Sequence, residues 1–489
     1  MIEPVIPELK TEPFTAVPER RRPPTAAART RPSTRNRLAQ RWPWLLAAAT
    51  SLIYSAIAVA RYRRYEFSSF DLSIFTQAVA SWAHGHLPVS TVRGGPGFSV
   101  LGDHFSPALA ALAPAYRIAP TPITLLVAQA VLFGVSVVPI ARLTERRLGR
   151  AAAVCVALAY VVSWGLQYAV VADFHEIALA VPLLAGGLCA LVDRRWRAAV
   201  WWLLPLLLVK EDLGATLAAA GLCMIWLGGK KPGLVLAAAG VVGSALEVGV
   251  LIPWARSSGG YTYASSVTSG SVGHVLGSLF LPAEKLQTLL LLFGVAAFVC
   301  LRSSLSWLVV PTLGWRFASD TANYWGHEYH YNAVLMPIVF VALVDALSTL
   351  RPTRAGFVSH VPYVVTTIAV LSVHVTPLNR FLHADTWTST ARSTAADAAV
   401  ALVPPGTTVE TDIGLMSHLT AGRRTYFSGN NTRTVHPDYF VTDQAAWGQP
   451  MTGTTTLDYA HQLHPNQQFR IVFERDGITV LESIGRPAP

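Results

Sequence analysis

The sequence predicts a polytopic α-helical membrane protein of about 11 transmembrane helices, with a small extracytoplasmic α/β domain at the C-terminus. Three observations predict it. Of 489 residues, 52% are hydrophobic and only 13% charged, with a mean hydropathy of +0.40, whereas a soluble chain is about one-quarter charged. Apolar stretches of about 20 residues, enough to cross about 30 Å of hydrocarbon as a helix, recur between residues 44 and 376. The cations cluster in the short turns between those stretches. The formal charge of +10 therefore reads as a positive-inside signature, not as a nucleic-acid surface. The same composition excludes an ordinary cytosolic enzyme.

Residues 1–43 are rich in Pro, Thr and Arg, with eight arginines and no acid between residues 20 and 41. Such a segment cannot bury a core and reads as a disordered cytoplasmic tail. The transmembrane domain follows, at 44–376. Its first span is 44–60; this ends in Ala58-Val59-Ala60, which resembles a signal-peptidase site, but the long polar tail ahead of it favours an uncleaved anchor. Further apolar stretches lie at 122–141, 151–171, 177–192, 198–209, 213–227, 234–253, 286–301, 303–317, 332–348 and 358–376. The basic turns 142–150 (RLTERRLGR) and 193–197 (DRRWR), Lys230 with Lys231, Arg302, and Arg351 with Arg354 alternate along this series, so all of them can be cytoplasmic at once. The run 198–209 is too short to cross a bilayer as a straight helix. With 213–227 it reads as a hairpin whose apex, Lys210-Glu211-Asp212, points outward inside the protein or stops at partial depth.

This count places 61–106, 254–285 and 377–489 outside. In the last segment the pattern predicts strands at 407–411, 425–427, 439–442, 470–474 and 478–482, and helices near 388–402 and 456–464. No phosphate-binding loop occurs there, so its plain reading is a packing or acceptor-side domain. The cysteines, Cys155, Cys189, Cys223 and Cys300, lie in apolar runs without CxxC spacing and read as small core residues.

The acidic and histidine-containing motifs outside those turns all fall on the outer face. Asp71, Asp103 and His104 belong to the first outer loop, and Asp173, His175 and Glu176 to the second. Lys210, Glu211 and Asp212 form the apex, and Asp320, His327, Glu328 and His330 follow residue 317. Ionisable groups at the mouth of a bundle are costly unless they pair or serve a site. For His84, His86 and Asp320 solvent exposure suffices. For Asp71, Asp103, His175, Glu176 and Glu211 the alternatives are a shared site or salt bridges to Lys210 or Arg316. The expectation is that Asp71, Asp103, Glu176 and Glu211 open onto one outward-facing pocket. His327 and His330, at i and i+3, could reach one ion from a helix, with Asp103-His104 or His175-Glu176 adding ligands. There is no HExxH motif, and the sequence leaves a divalent metal open.

Five motifs in order, FDLSIFTQAV (70–79), GDHFSP (102–107), DFHEIALAVP (173–182), LLLVKEDLG (206–214) and HEYHYNAVLMP (327–337), resemble the DUF2079 family of bacterial membrane proteins. The resemblance covers most of residues 45–350. In hydropathy and in the placing of its acids that family is similar to the GT-C glycosyltransferases, multi-span enzymes that use a polyprenyl-phosphate sugar outside the membrane. The resemblance implies a GT-C-like fold in the bacterial plasma membrane, and a polyprenyl-phosphate-linked sugar donor with a glycan or lipid acceptor from the cell envelope. It also implies an inverting transfer with Asp71, or else Asp103, as base. Lys210 and Arg316 would hold the departing phosphate, while His104, His175, Glu176, Glu211, His327 and His330 would line the substrate cavity. The amphipathic run 106–118 would lie along the interface and guide a polyprenyl chain, or form a tilted part of the next span. Rival readings are a transporter or flippase of an envelope precursor and a non-catalytic assembly scaffold. A transporter should carry midplane charges on inverted repeats, and no convincing repeat is seen.

Overall fold

The computed structural model describes residues 34–66, 69–256, 281–350, 353–430, 435–445 and 453–484. Most of the predicted tail and most of the outer loop 254–285 lie outside the described residues. The fold is that of the unit Pro43–Pro489. The first helix, α1 (Thr34–Arg63), begins before residue 44 and includes Pro43. The good helix formers Arg37, Leu38, Ala39 and Arg41 extend it backwards into the polar segment.

Each predicted apolar stretch is at least partly helical, but the stretches are not equivalent. Among the described residues six are long and apolar enough to cross a membrane: Gln40–Arg63, Pro122–Leu148, Arg150–Ala172, Lys230–Ala255, His330–Leu350 and Ala355–Val375. Glu176–Val192, Trp196–Leu208 and Leu213–Trp226 are apolar but shorter. Arg150–Ala172 is interrupted between helices Arg150–Val161 and Trp164–Ala172. After helix Ala283–Gly294 the backbone turns left-handed at Ala297 and Phe298, and short 3-10 turns lead into helix Val310–Ala318.

Burial separates the roles of the long helices. In its most apolar window His330–Leu350 is 78% buried, whereas Lys230–Ala255 is 22% and Ala355–Val375 is 28% buried. The first is the axis of the bundle. The other two expose apolar flanks that only lipid can solvate.

The predicted apex hairpin is packed differently from expectation. Helix Leu213–Trp226 lies chiefly against Lys230–Leu246, joined through Gly214, Gly221, Gly233 and Gly240, and a Cβ on Gly221 would fall 2.4 Å from the Ala237 nitrogen. Such backbone-to-backbone approach is how membrane helices gain dispersion contact. Helix Trp196–Leu203 instead packs on Ala180–Val192, with Trp202 and Leu203 over Gly186 and Gly187.

The first loop folds into α2 (Phe70–Ala83) and short turns. The run 106–118 is not a tilted start of the next span: it forms two short helical turns, Pro107–Leu112 and Ala113–Ile118, and stops there. Thr121 is extended, at φ −141 and ψ 149, and caps the long helix that begins at Pro122.

The C-terminal sheet has the order β2-β1-β3-β5-β4. Its strands are β1 (Thr408–Thr411), β2 (Arg424–Phe427), β3 (Tyr439–Asp443), β4 (Gln468–Arg475) and β5 (Ile478–Ile484). β1 runs parallel to β2 and β3, and β5 pairs antiparallel with β3 and β4. Helix Ala391–Leu402, closed by a Thr390/Ser393 capping box, covers one face. This layer shares its core with the first loop. Tyr65 joins the cluster around Ala396, Leu415 and Val480, and Ile74, Ala78 and Val92 pack with Ile413 and Met416. His418 is sandwiched between Tyr62 and Tyr65, with ring centroids 3.9 and 3.8 Å away.

Candidate active site

The segment interactions that position α2 also fix the first acid. Asp173 accepts hydrogen bonds from the Leu72 nitrogen at 2.9 Å and the Phe174 nitrogen at 2.6 Å, tying the start of α2 to the 173–176 segment. Gln129, inside the long helix Pro122–Leu148, donates to the Asp173 carbonyl at 2.8 Å and accepts from the His175 nitrogen at 3.2 Å. Ser69 donates to the Ile413 carbonyl at 2.5 Å, which seats the other side of α2 on the C-terminal layer.

These contacts hold Asp71 at the wall of a cavity of about 580 Å³. α2 contributes Phe70, Asp71 and Phe75, and the first loop adds Arg93, Asp103 and His104. His175 comes from the second loop and Lys210, Glu211 and Asp212 from the apex, while Trp315, Tyr324 and Tyr331 form an aromatic wall. The rings of that wall meet edge to face at 5.2 to 6.0 Å.

Each charge has a defined neighbourhood. Burial raises the Asp71 carboxyl above its ordinary pKa, partly opposed by His175 and Lys210. Asp103 is gripped by Arg93 through two contacts of 2.8 and 3.1 Å. His104 Nδ1 lies 2.7 Å from Glu211, and the Phe105 nitrogen donates to the same carboxylate at 3.1 Å. Burial alone would raise Glu211, but His104 and Lys210 bring it down to about 2. Asp212, buried with less compensation, is pushed up to about 6. Lys210 is buried, yet Glu176 at 3.0 Å keeps it protonated.

Of the acids expected in one pocket, Asp71, Asp103 and Glu211 do line the cavity. Glu176 does not. It is fully buried behind the wall, between Lys210 and His175, where its charge pairs with the Lys210 ammonium that would otherwise be stranded. Arg316 does not line the cavity either. Its guanidinium is fully buried and donates to the Tyr324 carbonyl (2.7 Å), Asn332 Oδ1 (2.9 Å) and the Gly326 carbonyl (2.9 Å). Those bonds organise the 324–332 loop. His327 sits against Trp164 and Tyr168, apart from the cavity lining. His330 is buried and stacked on His175, with centroids 3.5 Å apart. Sequence reasoning gave no role to Gln129, Asp173, Trp315, Tyr324 or Tyr331. The DFHE string signalled Asp173 and the HEYHYN string Tyr331, but nothing local signalled the others.

Over residues 61–480 the sequence matches the family described as "Predicted membrane protein (DUF2079)". The chain belongs to the DUF2079 family. Among functionally curated proteins, none matches it. Two crystal structures of ArnT from Cupriavidus metallidurans share its architecture: one bound to undecaprenyl phosphate, with 12% identity and a TM-score of 0.54, and one in the apo state, with 11% and 0.51. Each comparison covers 91% of this chain and 98% of the other. ArnT is a GT-C glycosyltransferase. At this identity the likeness establishes the fold alone, and this DUF2079 chain is a multi-pass membrane protein with a GT-C-like fold.

Proposed function

We propose that the protein transfers a sugar from a polyprenyl-phosphate donor to a hydroxyl of a cell-envelope glycan or lipid, at the extracytoplasmic face of the bacterial plasma membrane. The observation that carries this reading is the convergence of Asp71 and Lys210 on one cavity in a GT-C-like fold. An inverting transfer needs both groups. The acceptor oxygen forms a bond to the anomeric carbon and loses its proton to the Asp71 carboxylate, while the bond from that carbon to the phosphate oxygen breaks. The electron pair leaves with the polyprenyl phosphate, whose charge Lys210 faces. Arg93, also in the lining, takes the place first given to Arg316 as the second cation. Asp103 is already committed to Arg93, which favours Asp71 as the base. The aromatic wall offers ring faces to a sugar or an isoprenoid.

The test is sugar transfer in membranes from radiolabelled polyprenyl-phosphate donors. Asp71→Asn should lower turnover by about two to four powers of ten while the purified variant keeps its thermal stability. A stable variant with undiminished transfer would move the base to Asp103. No transfer by the unaltered protein over a broad donor panel would overturn the enzyme reading.

A further inference from the structure

We propose that Asp71, His175 and His330 form a binding site for a divalent transition-metal ion of the zinc type. The three residues come from α2, the second loop and the start of the axial span, yet each offers a ligand atom and all three atoms lie within 4.8 Å of one another. His175 and His330 are 6% and 4% exposed. Nε2 of His330 is buried without a hydrogen-bond partner among the described residues, an unfavourable arrangement for a polar atom that an ion would relieve.

The surroundings have the features of a metal site. Nδ1 of His175 lies 2.7 Å from Glu176 Oε2, which puts a carboxylate beside the ring, the kind of neighbour that orients metal-bound imidazoles. The backbone frame of Asp173 and Gln129 fixes Asp71 relative to His175 whether or not an ion is bound.

Two imidazoles and one carboxylate suit Zn²⁺ better than Mg²⁺, which prefers an all-oxygen shell. Three protein ligands also leave a coordination position for a water or substrate oxygen. Ligand atoms around tetrahedral zinc are about 3.3 Å apart, so the site must contract, and the imidazoles, now at 20° to each other, must splay. His327, the other member of the i, i+3 pair, rests on Trp164 and Tyr168 and takes no part. The site goes beyond the glycosyl-transfer reading and does not rest on it. With one Asp71 oxygen on the ion, the second remains for the acceptor proton.

The test uses the full-length protein in detergent, stripped with a chelator and titrated with Zn²⁺. Zinc K-edge absorption of the loaded protein should show imidazole scattering, and Zn²⁺ should raise the melting temperature. His175→Gln and His330→Gln should each weaken binding about tenfold or more, while His327→Gln should not, and excess Mg²⁺ should not displace the zinc. Where a variant fails to fold, the absorption spectrum of the unaltered protein decides. The proposal is overturned if the unaltered protein binds no zinc, if its spectrum lacks imidazole, or if both histidine variants keep full affinity. Zinc binding without sugar transfer would leave this site standing and remove the enzyme reading, and transfer without zinc binding would do the reverse.

Discussion

Lys210 and Glu176 meet at 3.0 Å with side chains 9% and 0% exposed, and at that burial neither charge has water to fall back on. Glu176→Gln should cost about 3 to 5 kcal/mol, since it strands the ammonium, while Glu176→Gln combined with Lys210→Met should recover most of that loss. Thermal unfolding of the single and double variants checks this, and additive losses would show that the two groups are not coupled. His418 makes a different prediction. Burial between Tyr62 and Tyr65 lowers its pKa to about 3, against about 6.5 in an unfolded chain. The neutral ring is therefore the stabilising form. Its contribution is complete above about pH 6.5 and is lost as the pH falls toward 3, with about 2 kcal/mol gone by pH 5. A His418→Phe variant should show a shallower fall in melting temperature between pH 7 and pH 5; an identical slope would show that His418 is solvated. At this scale the sequence indicated that Asp71, Asp103 and Glu211 would share one pocket, and the fold does bring them to one cavity. The sequence did not reveal that Arg316 is spent on Tyr324, Gly326 and Asn332. Two of those acceptors are backbone carbonyls, and no residue type announces a loop folding back on its own helix.

Helices Leu213–Trp226 and Lys230–Leu246 meet where side chains are missing. Gly221→Leu should push them apart and destabilise by about 1 to 3 kcal/mol or more, whereas Gly249→Ala should be neutral, because nothing lies within 4 Å of that position. Melting temperatures in detergent compare the two, and a Gly221 variant as stable as the parent would refute the contact. Hydropathy located the spans because a bilayer demands long apolar stretches. It missed the left-handed turn at Ala297 and Phe298, neither of which is a residue type that favours that conformation. Nor could it show that the short helix Leu213–Trp226 would choose the following helix over the preceding one as its chief neighbour, since backbone contact between glycines depends on facing positions that a hydropathy window averages away. The strands of the C-terminal sheet were legible, being alternating runs between turn residues.

For the whole molecule, the positive-inside argument predicts opposite sides for the 193–197 turn and the C-terminal sheet. With the native cysteines replaced, an impermeant maleimide applied to intact cells should label Gln462→Cys and reach Arg195→Cys only after permeabilisation. The reverse pattern would invert the topology and place the cavity on the cytoplasmic side. What the sequence could not show at this scale is how closely the C-terminal layer is fused to the first loop. Tyr65, α2, Ile413 and His418 are far apart in the chain, and their shared cores leave no local pattern.

That fusion bears on how the protein is made. The seat for Ser69 at Ile413 lies 344 residues further along the chain, and Gln77 and Thr91 reach Thr425 later still. A ribosome delivers α2 early and its support late. Throughout most of translation the helix bearing Asp71 has only half its foundation, however completely the membrane spans have been inserted. A nascent chain halted before Ile413 would be an integrated membrane protein with an unfinished cavity, so a late stretch of the chain acts as the keystone of the first acid's position.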